Sequence, residues 1–316
     1  GYNSNDNNIN GVSLFQNPNF LKSLANPPPI TVTLPPALRS TLNDEQCKVV
    51  ESILSGHSTF FTGPAGSGKS HVLSTLLKAN EEGIGNAMNN GKPRKIIVTA
   101  TTGVAACNVG GVTIHSFAGV GAGNASAAEI AKRVMGNEYT KGRWREVDVL
   151  IIDEISMLHK KQFDLVNEVL QFFRENEKAF GGIQVVLCGD FFQLPPIGTS
   201  GEINRDKFCF MSQSWLNANL SICYLTDQYR QTDSELNDIL NEIRQGAVSE
   251  RAIALLQSSK NTINSEEEPT RLYTHNMDVD RINTAHITEI KGRKKLFKAK
   301  VKGNLKLAES IKRSIM

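Results

Sequence analysis

Gly63-Pro64-Ala65-Gly66-Ser67-Gly68-Lys69-Ser70 carries the residue types best suited to chemistry, and it fits G-x-x-x-x-G-K-[ST]. In that spacing main-chain N–H groups wrap phosphates, the Lys amine reaches the β/γ-phosphates and the Ser hydroxyl ligates Mg2+. A helix beginning at the Lys adds a dipole that favours anions. A Gly-rich turn that merely contains Lys-Ser would read the same in isolation. Here a strand-like Thr59-Phe60-Phe61-Thr62 precedes it, and Val72, Leu73, Leu76 and Leu77 follow at helical spacing. That context favours a nucleoside triphosphate site.

A second group supplies carboxylates. Asp148-Val149-Leu150-Ile151-Ile152-Asp153-Glu154 is an apolar strand ending in two acids, at the sheet edge where ligands bind in open α/β folds. Asp153 suits Mg2+ as the acidic partner of Ser70, and Glu154 suits the deprotonation of an attacking water. An Asp-Glu pair capping the next helix is the competing reading, and the phosphate loop upstream makes it the weaker one. A third apolar strand, Ile183 to Cys188, ends in Gly189-Asp190-Phe191-Phe192-Gln193-Leu194-Pro195-Pro196. Gln193 at that tip can sense a γ-phosphate and pass the change to a neighbouring loop, or can simply be a turn residue. Arg230 is either a surface charge or an arginine finger for the transferred phosphoryl group. Gln46 completes a capping box with Asn43 or reads an adenine edge, and the residues alone leave both open.

Thr101-Thr102-Gly103-Val104-Ala105-Ala106 and Gly110 to Gly119 mix small, polar and aromatic residues. The first lets a neighbouring backbone approach closely, and the second suits a loop that holds a phosphodiester chain and stacks on bases, with His115 and Phe117 among its residues. A turn with Phe117 in the core and His115 internally satisfied is an equal alternative.

Elements able to position these groups are legible around them. Short continuous apolar runs at 59–62, 95–100, 148–154 and 183–188 read as central parallel strands. Helical patterns occupy the segment opening at Leu42, Ala125 to Met135, Gln162 to Asn176 and Leu236 to Ile243, and Trp144 is expected to anchor the connection before the acidic strand. The 316 residues carry 35 Lys and Arg against 32 Asp and Glu, so a basic surface must be local. No apolar run approaches a membrane span. The five cysteines have no C-x-x-C spacing and are expected to be buried free thiols. No Asn-Lys-x-Asp element for guanine occurs.

Together, Leu42 to Gln46, Gly63 to Ser70, Thr99 to Ala106, Gly111 to Gly119, Ile152 to Met157, Phe180 to Pro196 and Tyr229-Arg230-Gln231 resemble the Pif/Rrm-type DNA helicases. These are RecD-like members of helicase superfamily one that move 5′ to 3′. The resemblance runs from about 42 to about 300 and implies a fold and a site. The fold is α/β: a RecA-like P-loop NTPase domain with a mostly parallel sheet, followed by an incomplete second RecA-like domain. ATP and Mg2+ are the implied cofactors. Gly63, Pro64, Ala65, Gly66, Ser67, Gly68, Lys69 and Ser70 bind the nucleotide, with Gln46 at the adenine. Ser70 and Asp153 hold the metal, and Lys69, Glu154, Gln193 and Arg230 carry the catalysis. Thr101, Thr102, His115 and Phe117 lie along single-stranded DNA. Forked or structured DNA is the implied partner and no membrane is expected. Work on a nuclear or mitochondrial genome follows from the same resemblance.

The expected organisation is a disordered or extended segment over 1–41, the first RecA-like domain over 42–232, and linker helices with the start of a second domain over 233–316. In that last part Thr270 to Thr274 reads as a strand and Asn276 to Ile290 as a helix, before a tail with ten Lys or Arg and one acid from Lys291 on. The later strands and motifs of the family's second motor domain are not found. The expected consequence is ATP binding with poor unwinding, and a fragment that clamps single strands without productive hydrolysis is the rival reading.

Overall fold

The computed structural model describes residues 31–120, 126–135, 137–198, 201–229, 233–259, 270–293 and 295. They divide between Val248 and Ser249 into two units.

Six strands form one sheet in the first unit: β1 (Thr59–Thr62), β2 (Ile96–Ala100), β3 (Val112–Thr113), β4 (Val149–Asp153), β5 (Gln184–Cys188) and β6 (Ser221–Tyr224). The spatial order is β3-β2-β4-β5-β1-β6, and every neighbouring pair is parallel. Side chains alternate between the two faces of a strand, and both faces here are covered. Phe60, Leu150, Ile152, Val185 and Leu187 enter one apolar cluster, while Phe61, Val149, Ile151, Val186 and Cys188 enter the other. That double burial is why the strands read as unbroken apolar runs. Because β5 lies between β1 and β4, the carboxyl ends of these three strands are neighbours.

The helices fill both faces. After α1 (Pro36–Arg39), α2 (Asp44–Leu54) starts at a complete capping box between Asn43 and Gln46. Next come α3 (Lys69–Glu81), α4 (Gly103–Asn108), α5 (Ile114–Ala118), α6 (Ala127–Val134), α7 (Glu138–Glu146), α8 (Lys160–Arg174), α9 (Gln213–Asn217) and α10 (Ser234–Gln245). Trp144 is fully buried on α7 and donates its indole N–H to the Phe117 carbonyl. Residues 31–41, part of the segment expected to be disordered or extended, pack within the first unit. Leu34 and Leu38 are buried, and the Leu34 N–H donates to Glu51 Oε1 at 2.9 Å. The cysteine expectation also shifts: Cys47, Cys188 and Cys209 are buried free thiols, but Cys107 on α4 is exposed.

In the second unit, α11 (Glu250–Ser258) is capped by Ser249, and α12 (Asn276–Glu289) buries no residue. The strand expected over Thr270 to Thr274 does not form: the segment is irregular and Leu272 is 94% exposed, whereas a strand rests on a paired neighbour. The basic tail beyond Lys295 lies outside the described residues.

Candidate active site

The phosphate loop leaves β1 at Gly63 and becomes α3 at Lys69, and its glycines are needed where they stand. A Cβ on Gly63 would lie 2.5 Å from the Leu225 carbonyl oxygen. Gly68 has φ +81°, and a Cβ there would meet Gln46 Nε2 at 2.4 Å. Positive φ is the region Gly enters without penalty. Gln46 explains the fit. Its Oε1 accepts the Asn43 N–H at 3.1 Å, completing the cap, and its Nε2 donates to the Ser67 carbonyl at 3.1 Å. The side chain therefore braces α2 against the loop, and each of its polar atoms keeps further bonding capacity. Lys69 Nζ donates to the Gly63 and Pro64 carbonyls at 2.8 and 3.0 Å. Ser67 Oγ is buried without a hydrogen-bond partner among the described residues. Ser70, the first turn's hydroxyl, is exposed.

The β6 exit closes the other side of the loop. The Tyr229 N–H donates to the Gly66 carbonyl at 2.8 Å, and Asn43 Nδ2 donates to Asp227 and to the Tyr229 hydroxyl. Arg230, the expected finger, is outside the described residues.

At the tip of β4, Asp153 is buried and its Oδ1 accepts the Glu154 N–H at 2.9 Å. Glu154 sits at φ +53°, ψ +41°, an uncommon conformation for a residue with a Cβ. It turns the chain sharply and holds the carboxylate at the strand end. Burial pushes the Glu154 carboxyl up; the Asp153 and Asp190 charges add to this and Lys69 opposes it. A raised carboxyl is a better proton acceptor near neutral pH, as a general base requires. Among the described residues no His, Cys, Asp and Glu cluster could cage a metal alone. One carboxylate and one hydroxyl suit Mg2+, which takes most of its ligands from phosphates and water. Beside Asp153, the Cys188 thiol is pushed well up by burial and then by that carboxylate, so it stays neutral.

At the tip of β5, Gln193 is held by Asp190: its Nε2 donates to Asp190 Oδ2 at 3.1 Å and its N–H to the Asp190 carbonyl at 2.9 Å. Asp190 is 1% exposed and takes a two-pronged ion pair from Arg244 of α10, at 2.6 and 2.8 Å. Burial raises the Asp190 carboxyl, but the hydrogen bonds from Arg244, Gln193 and the Phe192 N–H outweigh it and hold the group below its ordinary value. Sequence reasoning missed Arg244. It looks like one more basic residue in the last turn of an amphipathic helix, and no local signal ties it to Asp190. A cavity of about 260 Å3 runs beside these groups, lined by Thr102, Val104, Glu154, Ser156, Gln193 and Leu194 among others.

The four expected DNA contacts separate. Thr102 caps α4 through its hydroxyl and lines the cavity. His115 is half-buried on α5. Thr101 is buried, and its hydroxyl donates to the Glu154 carbonyl at 2.9 Å. Phe117 does not fit the stacking role: its ring is fully buried, Arg143 lies 5.1 Å above it, and its carbonyl accepts from Arg143 and Trp144. A ring without exposed area cannot stack on a base, so Phe117 is a core residue.

A family model described as PIF1-like helicase matches residues 41–253. The chain is 42% identical over 281 residues to ATP-dependent DNA helicase Pif1 of Psychrobacter, covering 86% of this chain and 41% of that one. It is 36% identical over 278 residues to the human ATP-dependent DNA helicase PIF1, covering 87% of this chain and 41% of that one. The chain thus spans about two fifths of these curated relatives. Its fold is similar to the crystal structure of Pif1 helicase from Candida albicans, with TM-score 0.68, 36% identity, and 80% and 55% of the two chains covered. Pif1 helicase from Bacteroides in complex with ADP-AlF3 and ssDNA gives TM-score 0.67 at 31% identity, covering 80% and 58%.

Proposed function

We propose, of a chain that belongs to the PIF1-like helicase family, that it is an ATP-dependent DNA motor. It moves 5′ to 3′ on single-stranded DNA, acts at forked or structured DNA, and serves the nuclear or mitochondrial genome. One observation carries the reading: a phosphate loop, a half-buried Glu carboxylate and a strand-tip Gln lie at the ends of three adjacent parallel strands.

Main-chain N–H groups of Gly63 to Ser70 wrap the phosphates, and Lys69 exchanges the Gly63 and Pro64 carbonyls for phosphate oxygens. The buried Ser67 hydroxyl gains a partner in the same cradle. Ser70 and Asp153 hold Mg2+, which when bound neutralises charge on the transferring phosphoryl group. Glu154 takes a proton from the attacking water at its carboxylate oxygen, with partial burial first and then Asp153 and Lys69 setting its basicity. Gln193 leaves Asp190 for the γ-phosphate and returns when the phosphate is gone. Gln46 and the Asn43–Tyr229 rim face the base, and Thr102 and His115 face the strand. The Bacteroides relative bound to ADP-AlF3 and ssDNA supports pairing these two ligands on one fold.

Phosphate release by the purified chain, with and without a single-stranded oligonucleotide, tests this. Several-fold stimulation is expected, abolished by Lys69→Ala. ATPase activity indifferent to DNA would indicate a P-loop enzyme of another kind, and DNA binding without any hydrolysis would indicate a clamp.

A further inference from the structure

Asp190 is a buried carboxylate with an unusual set of partners. Its two oxygens accept from both terminal nitrogens of Arg244, from the Phe192 N–H at 3.1 Å and from Gln193 Nε2 at 3.1 Å. The Arg244 guanidinium also lies 4.5 Å above the Phe192 ring and reaches the Tyr224 hydroxyl at the end of β6. One side chain therefore touches the loop after β5 and the end of β6 while belonging to α10. A forked Arg–carboxylate pair fixes geometry as well as charge, and here the carboxylate is buried.

We propose that Arg244 is a positioning residue that sets Gln193 free to detect a third phosphate. The Asp190 charge is the only acceptor that the described structure gives the Gln193 amide. A buried carboxylate stripped of its cation must find other donors, because an uncompensated charge in that setting is strongly unfavourable. Without Arg244, Asp190 is left with the Phe192 N–H and Gln193, and its grip on the Gln193 amide tightens. With Arg244 in place the carboxylate is already neutralised, and Gln193 can turn to phosphate at little cost. Arg244 thus acts on phosphate sensing without touching nucleotide. Because α10 is the last helix of the first unit, the same clasp ties the sensing loop to the chain's exit from that unit.

This inference rests on the phosphate-site reading, and nucleotide affinity separates the two. The measurement is binding of ADP and of a non-hydrolysable ATP analogue, each with Mg2+, to wild type, Arg244→Met, Arg244→Lys, Gln193→Ala and the Arg244→Met/Gln193→Ala double variant. For Arg244→Met the expected result is ADP affinity within about twofold of wild type and analogue affinity lower by roughly tenfold, in the usual range for coupled sites. Gln193→Ala should lose a similar factor, and the double variant no more than either alone, because both changes remove one device. Arg244→Lys keeps the charge without the fork and should show a smaller loss confined to the analogue. It decides the matter alone if Arg244→Met does not fold.

Equal weakening of both nucleotides, an unchanged preference for the triphosphate in Arg244→Met or Arg244→Lys, or losses that multiply in the double variant would overturn the proposal. If wild type binds neither nucleotide, the phosphate-site reading falls first and this inference with it.

Discussion

Two sets of loops leave the carboxyl edge of the same sheet, and they look alike in sequence. The segments after β1, β4 and β5 carry small or polar residues, and so do those after β2 and β3. Their side chains are held in opposite ways. In the first set, bonding capacity is kept in reserve: Ser67 Oγ has no partner among the described residues, Lys69 rests on main-chain carbonyls, and Glu154 is half-buried with a raised carboxyl. In the second set Thr101, Thr102 and Phe117 are engaged with their own chain. Small polar residues after a strand do not by themselves mark a ligand site. Burial without a matching partner beside a phosphate loop is the stronger sign, because such a group is costly unless something arrives to satisfy it.

The largest expected effect tests the first half of that contrast. Glu154→Gln removes the proton acceptor but keeps the shape and the main-chain turn, so turnover should fall by about 10^2 to 10^4-fold, the usual worth of general-base catalysis. Nucleotide affinity should stay near wild type, as titration with a fluorescent analogue would report. Turnover that survives the change would move Glu154 from the reserved set to the engaged one.

The second half predicts a large effect of a different kind. Phe117→Ala should cost about 3–5 kcal/mol of stability, as expected for emptying a packed aromatic site. Phe117→Leu keeps more of the volume and should cost only about 1 kcal/mol, with affinity for a single-stranded oligonucleotide unchanged. Chemical denaturation and oligonucleotide binding on the Leu variant decide between core and contact. A stable Phe117→Leu chain with weakened DNA binding would break the comparison.

The same contrast explains what could be read in the chain beforehand. Asn43 and Gln46 were legible because a capping box is local: both partners sit within one turn. The runs at β4 and β5 were legible because burial on both faces leaves no polar gap. Phe117 was ambiguous because what buries it, Arg143 and Trp144, comes from 26 and 27 residues downstream. Arg244 was invisible for the same reason, with its partner 54 residues away on another element. Thr270 to Thr274 misled because its β-branched and aromatic composition promised a strand, and composition cannot supply the neighbour a strand requires.

Thr101 is where the two sets of loops touch, and it carries the smallest expected effect. It belongs to the loop after β2, yet its N–H donates to the Asp153 carbonyl at 3.2 Å and its hydroxyl to the Glu154 carbonyl at 2.9 Å. Glu154 holds an uncommon backbone conformation, and such a conformation persists when its surroundings over-determine it. Thr101 is one of those surroundings. Thr101→Val keeps size and branching but removes the hydroxyl, so it should cost about 0.5–1.5 kcal/mol, the net worth of one hydrogen bond. If the hydroxyl steadies the general base, turnover should drop several-fold while affinity for the oligonucleotide holds. If it faces the strand instead, the order reverses: DNA affinity falls and DNA-independent turnover is untouched. That second outcome would mean that the loop after β2 keeps bonding capacity for DNA after all, and the line between the two sets of loops would have to be redrawn at Thr101.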